Sequence, residues 1–234
     1  EGHMAEKKLK VRHELKYYIS MGEYLVLRDR LKPIMPLDPF ADPETRSYDI
    51  RSLYFDDIYN TAMWEKMDGI KNRRKWRIRL YNYRGDNIKL EKKAKYDMFT
   101  AKESAKITRH QVNEIMAGRY DFLLTSGSHL FEELYADIVV NRLKPIVLVD
   151  YTREAYIYPA GNVRITFDKN LHSGNFSTDI FRPTMVTVPI LEPGTLVLEI
   201  KYDVTLPEHI RDIINTTTGM RSAISKYALC RRYH

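Results

Sequence analysis

The chain has 234 residues, 44% of them hydrophobic, and a formal charge of +7. That length can bury a sizeable core, and an apolar content this high, with seventeen tyrosines, argues against a disordered chain. The one cysteine, Cys230, excludes an internal disulfide and a cysteine-based metal cluster, and the positive balance favours an anionic partner without choosing among nucleic acid, nucleotide, phosphate and acidic membrane.

A single cysteine suits a reducing compartment. The start shows no apolar signal segment, and no run of eighteen apolar residues could span a bilayer. The expected location is cytoplasmic, with any membrane association made through a partner. Gly2-His3-Met4 resembles the scar of an expression tag. Residues 1–3 are therefore set aside, and residues 4–234 are read as one domain.

Residues 9–19 predict the first strand, with Arg12, Glu14 and Lys16 on one face and Val11, His13, Leu15 and Tyr17 on the other. Ser20 with Glu23 three positions later is a capping box, and it opens a helix over residues 21–31. Pro33, Pro36, Pro39 and Pro43 mark a long connection. Residues 48–55 alternate again, Tyr48, Ile50, Ser52 and Tyr54 against Asp49, Arg51, Leu53 and Phe55. Arg51 is expected to point where the other basic groups point. A turn and a short helix follow over residues 56–66. Residues 71–81 and 87–95 predict a hairpin turned by Arg84-Gly85-Asp86, with Gly85 at positive φ. Trp64 and Trp76 are expected in the core.

Helices over residues 108–117 and 128–142 form an insert between the two halves of the sheet. Residues 145–158 and 163–168 predict strands. Residues 171–193 carry little signal beyond a possible strand at 185–191, and residues 195–202 give a strong strand pattern. Helices over residues 207–216 and 222–232 close the chain.

The centre of this pattern is the stretch from Arg73 to Tyr81, where Lys75, Arg77, Arg79 and Tyr81 share one face and Trp76, Ile78 and Leu80 the other. Lys89, Glu91 and Lys93 repeat it, as do Arg153 with Arg164, and Glu199 with Lys201. One such strand is an ordinary solvated surface. Several together describe a sheet curved around a polar centre, its apolar outside covered by helices. Arginines gathered this way repel one another. Glu14, Glu91 and Glu199 offset only part of that repulsion, and a polyanion would offset the rest. The same glutamates are candidate oxygen ligands for magnesium or manganese, Glu199 foremost. A salt bridge to a neighbouring cation is the alternative for each, and for Glu14 alone it explains the residue at least as well. Arg221, Ser225 and Lys226 would bring a basic helix to one mouth, or a solvated lysine beside a buried Tyr227.

No Walker pattern, dinucleotide fingerprint or Gly-x-Ser-x-Gly elbow is present. The histidines show no metal-ligand spacing.

The motifs Arg12-His13-Glu14-Leu15-Lys16, Ser52-Leu53-Tyr54-Phe55-Asp56, Arg77-Ile78-Arg79, Leu90-Glu91-Lys92-Lys93, Tyr151-Thr152-Arg153, Val163-Arg164-Ile165-Thr166-Phe167-Asp168, Leu198-Glu199-Ile200-Lys201 and Ser225-Lys226-Tyr227 resemble, in order, those of the VTC domain. This is a polyphosphate-polymerase module of the triphosphate tunnel metalloenzymes. The resemblance implies an α+β fold: a closed antiparallel β-barrel, a tunnel of about eight strands, with helices outside and a C-terminal helix near the tunnel mouth. It implies ATP and inorganic polyphosphate as partners, a manganese or magnesium cofactor, and transfer of the terminal phosphoryl group to a growing chain with release of ADP.

Under this resemblance Lys16, Arg77, Arg79, Lys93, Arg153 and Lys226 form the catalytic clamp. Arg12, Arg51, Lys89, Tyr151, Arg164, Lys201, Arg221 and Ser225 bind phosphate or nucleotide, and Glu199, Glu91 and Glu14 hold the metal. Two departures stand out. Arg12 replaces the first glutamate of the Glu-x-Glu-x-Lys pattern of the hydrolase and cyclase branch, and Ala223 stands where the fungal polymerases carry a lysine. Arg221 is expected to compensate for the second. A non-catalytic polyphosphate-binding module and a tripolyphosphatase remain as alternatives. Nucleic-acid binding would instead show salt-sensitive affinity without triphosphate dependence, and no specific nucleic acid is expected. Translocation of a product would require a membrane-protein partner.

Overall fold

The computed structural model describes residues 12–67, 73–96, 99–174, 177–217 and 220–231. Its elements run β1 (His13–Ser20), α1 (Met21–Leu31), β2 (Tyr48–Asp56), α2 (Thr61–Met67), β3 (Arg73–Tyr81), β4 (Arg84–Tyr96) and β5 (Phe99–Ile107). After these come α3 (Arg109–Met116), α4 (Phe122–Thr125), α5 (His129–Asn141), β6 (Lys144–Tyr158), β7 (Val163–Ser173), β8 (Val188–Pro189) and β9 (Thr195–Tyr202). The chain closes with α6 (Glu208–Ile214), β10 (Met220–Arg221) and α7 (Lys226–Arg231).

The strands form one antiparallel sheet in the order β10-β1-β9-β7-β6-β2-β3-β4-β5, with β8 beside β7. Six strand-to-strand steps separate β1 from β4, about 29 Å in a flat sheet at roughly 4.8 Å per step. Yet Lys93 on β4 reaches Glu14 on β1 at 3.0 Å. The sheet must therefore curl until its two ends meet.

They meet through side chains. Among the described residues no backbone pairing joins β1 or β10 to β4 or β5, so the expected closed barrel becomes an open sheet rolled into a trough. The reason is local. The edge of β1 is occupied by β10, and β1 abuts β4, so that β5 overhangs with Lys102, Ser104 and Lys106 exposed.

Alternation sets the two faces. On the outside, Leu53, Trp76, Ile78, Leu80 and Leu90 pack beneath α3, α4 and α5. Ile165, Phe167, Leu198 and Ile200 pack beneath α1 and α6. Helix α1 begins where the capping box requires, with both reciprocal Ser20–Glu23 hydrogen bonds made. On the inside, the end of the trough bounded by Tyr54, Val147 and Val149 is apolar and is filled by Tyr227 and Cys230 of α7. The C-terminal helix thus sits at one mouth, as the resemblance implied.

Five details depart from the sequence reading. The β3–β4 turn is made by Asn82 and Tyr83 at φ 50° and 55°, and Gly85 lies within β4. A two-residue turn needs both central residues left-handed, which asparagine tolerates well. Strand β5 was not anticipated, because Thr100-Ala101-Lys102-Glu103-Ser104-Ala105-Lys106 has little intrinsic strand preference and is held by pairing with β4. Trp64 is 52% exposed, whereas Trp76 is buried at 2%. Helix α7 begins only at Lys226, and the strand expected at 185–191 shrinks to Val188–Pro189. The ends of the first strand, the hairpin and the last helix at residues 9–11, 71–72 and 232 lie outside the described residues.

Candidate functional site

The inner face carries the charge. On β1 and β9, Lys16 stands opposite Glu199 and Glu14 opposite Lys201. On β7, Thr166 stands opposite Glu199 and Arg164 opposite Lys201. Glu199 is 5% exposed. It receives Lys201 at 2.8 Å and Arg153 at 3.5 Å. Burial pushes its carboxyl up, but Lys16 and Lys201 outweigh burial and hold it well below the usual range. Glu14 in turn lies 3.1 Å from Lys16. Burial lowers the Lys201 ammonium, and the two glutamates restore only part, leaving it at about 8. Thr166 Oγ1 is buried beside Glu199 and has no hydrogen-bond partner among the described residues.

Strands β2, β3 and β4 build the second wall. Arg77 donates through Nε to Glu91 at 2.6 Å and through Nη1 to Tyr54 at 2.9 Å. Lys102 on β5 reaches the other oxygen of Glu91 at 2.6 Å, and Arg79 stands 3.9 Å away. Burial raises the Glu91 carboxyl, but Arg77, Arg79 and Lys102 bring it down to about 2. Arg79, 6% exposed, is oriented by Ser52 at 3.2 Å and the Tyr151 hydroxyl at 3.1 Å. Lys89 is set opposite Arg79 and lies 6.0 Å from the Tyr81 ring.

Strand β6 and α7 join the walls. Arg153 clasps Asp168 through Nε at 2.7 Å and Nη2 at 2.8 Å. Lys226 reaches the same carboxylate at 2.5 Å. The ring of Tyr151 lies 5.3 Å from the Arg153 guanidinium and 5.0 Å from the Lys226 ammonium. Ser225 accepts from Lys75 at 3.4 Å, and Lys16 donates to the Ile224 carbonyl at 3.3 Å. At the rim, Arg164 donates to Asp38 at 2.6 Å and to Tyr48 at 3.0 Å.

Lys16, Arg77, Arg79, Lys89, Lys93, Tyr151, Arg153, Arg164, Lys201, Ser225, Lys226 and the three glutamates are therefore gathered around one trough. Three expected residues are not. Arg51 shares the face of Leu80, since Ser52 pairs with Arg79. It is 2% exposed, forked onto Asp150 at 2.8 and 2.7 Å, and it donates to the Ile180 and Arg182 carbonyls. It pins the 180–182 segment to the outside. Arg221 pairs with Tyr17, on the face away from Lys16. Arg12 reaches Asp203 and the Asn162 carbonyl at the strand ends.

Sequence reasoning also left out Thr166, Tyr54, Lys75 and Lys102 as site members, and it reads Asp168-Lys169-Asn170 equally as a cation site or a strand-end turn. Lys75 already shared the face of Arg77. Lys102 could not be placed without β5, and an aspartate at the end of a short predicted strand looks like a turn residue.

Two groups offer donor atoms for a metal ion. Glu103, His129 and Glu133 bring three donor atoms within 4.8 Å of one another outside the trough. There, however, Lys92 already bridges Glu103 at 3.0 Å and Glu133 at 2.6 Å, so an ammonium supplies the charge a metal would bring. Inside the trough, Glu199, Glu14 and the Thr166 hydroxyl offer hard oxygen ligands; Lys201 and Lys16 hold these carboxylates too, so a metal there would have to displace an ammonium.

The family model described as the VTC domain matches residues 11–233. A search of curated proteins by sequence gives no match. Among solved structures, a putative adenylyl cyclase from Hippeastrum, described as having a dominant triphosphatase activity, is similar at TM-score 0.55 and 15% identity over 94% of this chain and 96% of that one. A putative adenylate cyclase from Bacillus halodurans is similar at TM-score 0.50 and 14% identity over 88% of this chain and 86% of that one. At such identities the likeness concerns the fold. Among the described residues no helix is long and apolar enough to cross a membrane.

Proposed function

The chain belongs to the VTC domain family, and from that premise we propose that it is a polyphosphate polymerase that moves the terminal phosphoryl group of ATP onto an inorganic polyphosphate chain and releases ADP. The observation that carries this reading is the convergence of Lys16, Arg77, Arg79, Arg153, Arg164, Lys201 and Lys226 on one concave face together with Glu199 and Glu14. Arginine forks and lysine point charges match the oxygens of a triphosphate. The attacking group is a phosphate oxygen, already ionised at neutral pH, so no general base is required. As it bonds to the terminal phosphorus, the bridging P–O bond breaks and ADP leaves with the electron pair. The protein's task is to hold the three centres in line and to neutralise charge on the transferring group.

Glu199 and Glu14 would hold a manganese or magnesium ion, with phosphate oxygens completing its shell, and the ion when bound would neutralise phosphate charge. Glu91, surrounded by cations, serves as their counter-ion. The test is incubation with ATP and manganese, with and without a short polyphosphate primer, resolving ADP, orthophosphate and chains. Chains that lengthen in step with ADP are expected. Orthophosphate without chains would favour the second reading, a tripolyphosphatase, to which the fold shared with the Hippeastrum protein lends weight. Binding without turnover would make this an accessory module.

A further inference from the structure

Asp168 is fully buried, lies on the inner face, and is not part of the clamp described above. It faces two of the clamp's cations. Arg153 spends Nε and Nη2 on it, and Nη2 also faces Glu199. Among the described residues nothing engages Nη1, so the carboxylate decides which edge of the guanidinium is left for a ligand. Lys226 contacts Asp168 from α7, and the next residue, Tyr227, is buried in the apolar plug and donates to Asp56. One carboxylate therefore links two strands and the closing helix.

We propose that Asp168 is a positioning residue for phosphoryl transfer: it fixes the orientation of Arg153 and occupies Lys226 until a triphosphate competes for that ammonium. This rests on the trough being a triphosphate site. The two roles have opposite signs in binding and in turnover. A carboxylate beside the cations weakens the attraction of a polyanion, while a fixed fork keeps the reacting phosphate aligned. A residue that merely held the fold together would worsen both when altered.

The experiment is calorimetric titration with inorganic tripolyphosphate, and turnover of ATP, for the full chain and for Asp168→Asn, Lys226→Met and the double variant. Asp168→Asn is expected to bind tripolyphosphate about threefold to tenfold more tightly yet turn over about tenfold or more slowly. Lys226→Met, which removes a cation, should weaken binding. In its background the gain from Asp168→Asn should shrink, since both changes act on one contact. The inference is overturned if Asp168→Asn weakens binding, or if its gain survives undiminished in Lys226→Met. Should Asp168→Asn not fold, Lys226→Met decides alone: binding unchanged or tightened would overturn the role given to this pair. If the unaltered chain binds no tripolyphosphate, the reading of the trough itself fails.

Discussion

Glu199 and Glu91 are the same residue at nearly the same burial, 5% and 2% exposed, on the two walls of one trough. Both are held ionised by cations that overcome burial. Their surroundings differ in kind. Glu199 has Lys201 and Arg153 on its two oxygens, but a second carboxylate, Glu14, shares Lys201 with it, and opposite it stands Thr166, whose hydroxyl has no hydrogen-bond partner among the described residues. Glu91 has Arg77 and Lys102 on its two oxygens and Arg79 nearby. Two carboxylates and a hydroxyl side by side can exchange a lysine for a metal cation, whereas a lone carboxylate among three cations leaves positive charge that suits an anion. Under the proposed function this difference would divide the work: metal on the β1–β9 side, phosphate on the β3–β4 side.

The largest test of that division is Glu199→Gln against Glu91→Gln. Removing the Glu199 charge should lower turnover by about 10²-fold or more and flatten the response to manganese. Glu91→Gln should keep that response and lose less than about tenfold. Steady-state ADP release across a manganese titration reads both, and the reverse ranking would exchange the walls' roles.

The next effect is on stability. Glu91→Gln leaves three cations short of their counter-ion. Removing one partner of a buried pair costs about 3–5 kcal/mol. The low end applies here because Lys102 is half-exposed, a melting point lower by roughly 6–12 °C. Glu91 has its carboxyl at about 2 when folded against an ordinary 4.5. Its stabilisation is complete above the ordinary value and drains away as pH falls towards 2. Thermal melts from pH 6 downward should therefore show a shallower acid decline in Glu91→Gln.

A smaller effect belongs to the other wall. Lys201 sits at about 8, and a bound triphosphate favours its charged form. Without divalent ions, tripolyphosphate affinity should be flat below that pH and fall above it, by at most about tenfold per unit. Lys201→Arg should remove the fall, because guanidinium stays charged. Smallest of all, Arg221→Ala should change tripolyphosphate affinity by less than about twofold, since its register faces outward. A larger loss would return Arg221 to the trough.

Much of this was legible from alternation alone. Lys75, Arg77 and Arg79 announce a cationic face because side chains on a strand repeat every second residue, and Ser20 with Glu23 announces the start of α1. Arg51 shows where alternation stops helping. The pattern correctly separates it from Ser52, but only the pairing of Ser52 with Arg79 tells which face is inside. The β3–β4 turn is a similar case: Gly85 attracts the turn in sequence, while the register places it at Asn82 and Tyr83.

Local periodicity and ordered motifs make the charged and apolar faces of the strands, the main helices and the family readable from the amino-acid order. That β5 exists, that the sheet curls without a closing ladder among the described residues, that Arg51 and Arg221 turn outward, and that Asp168 joins Arg153 to Lys226 emerge only from the folded arrangement. Each of these depends on which residues stand opposite one another across strands distant in the chain, and a one-dimensional pattern carries parity but not register.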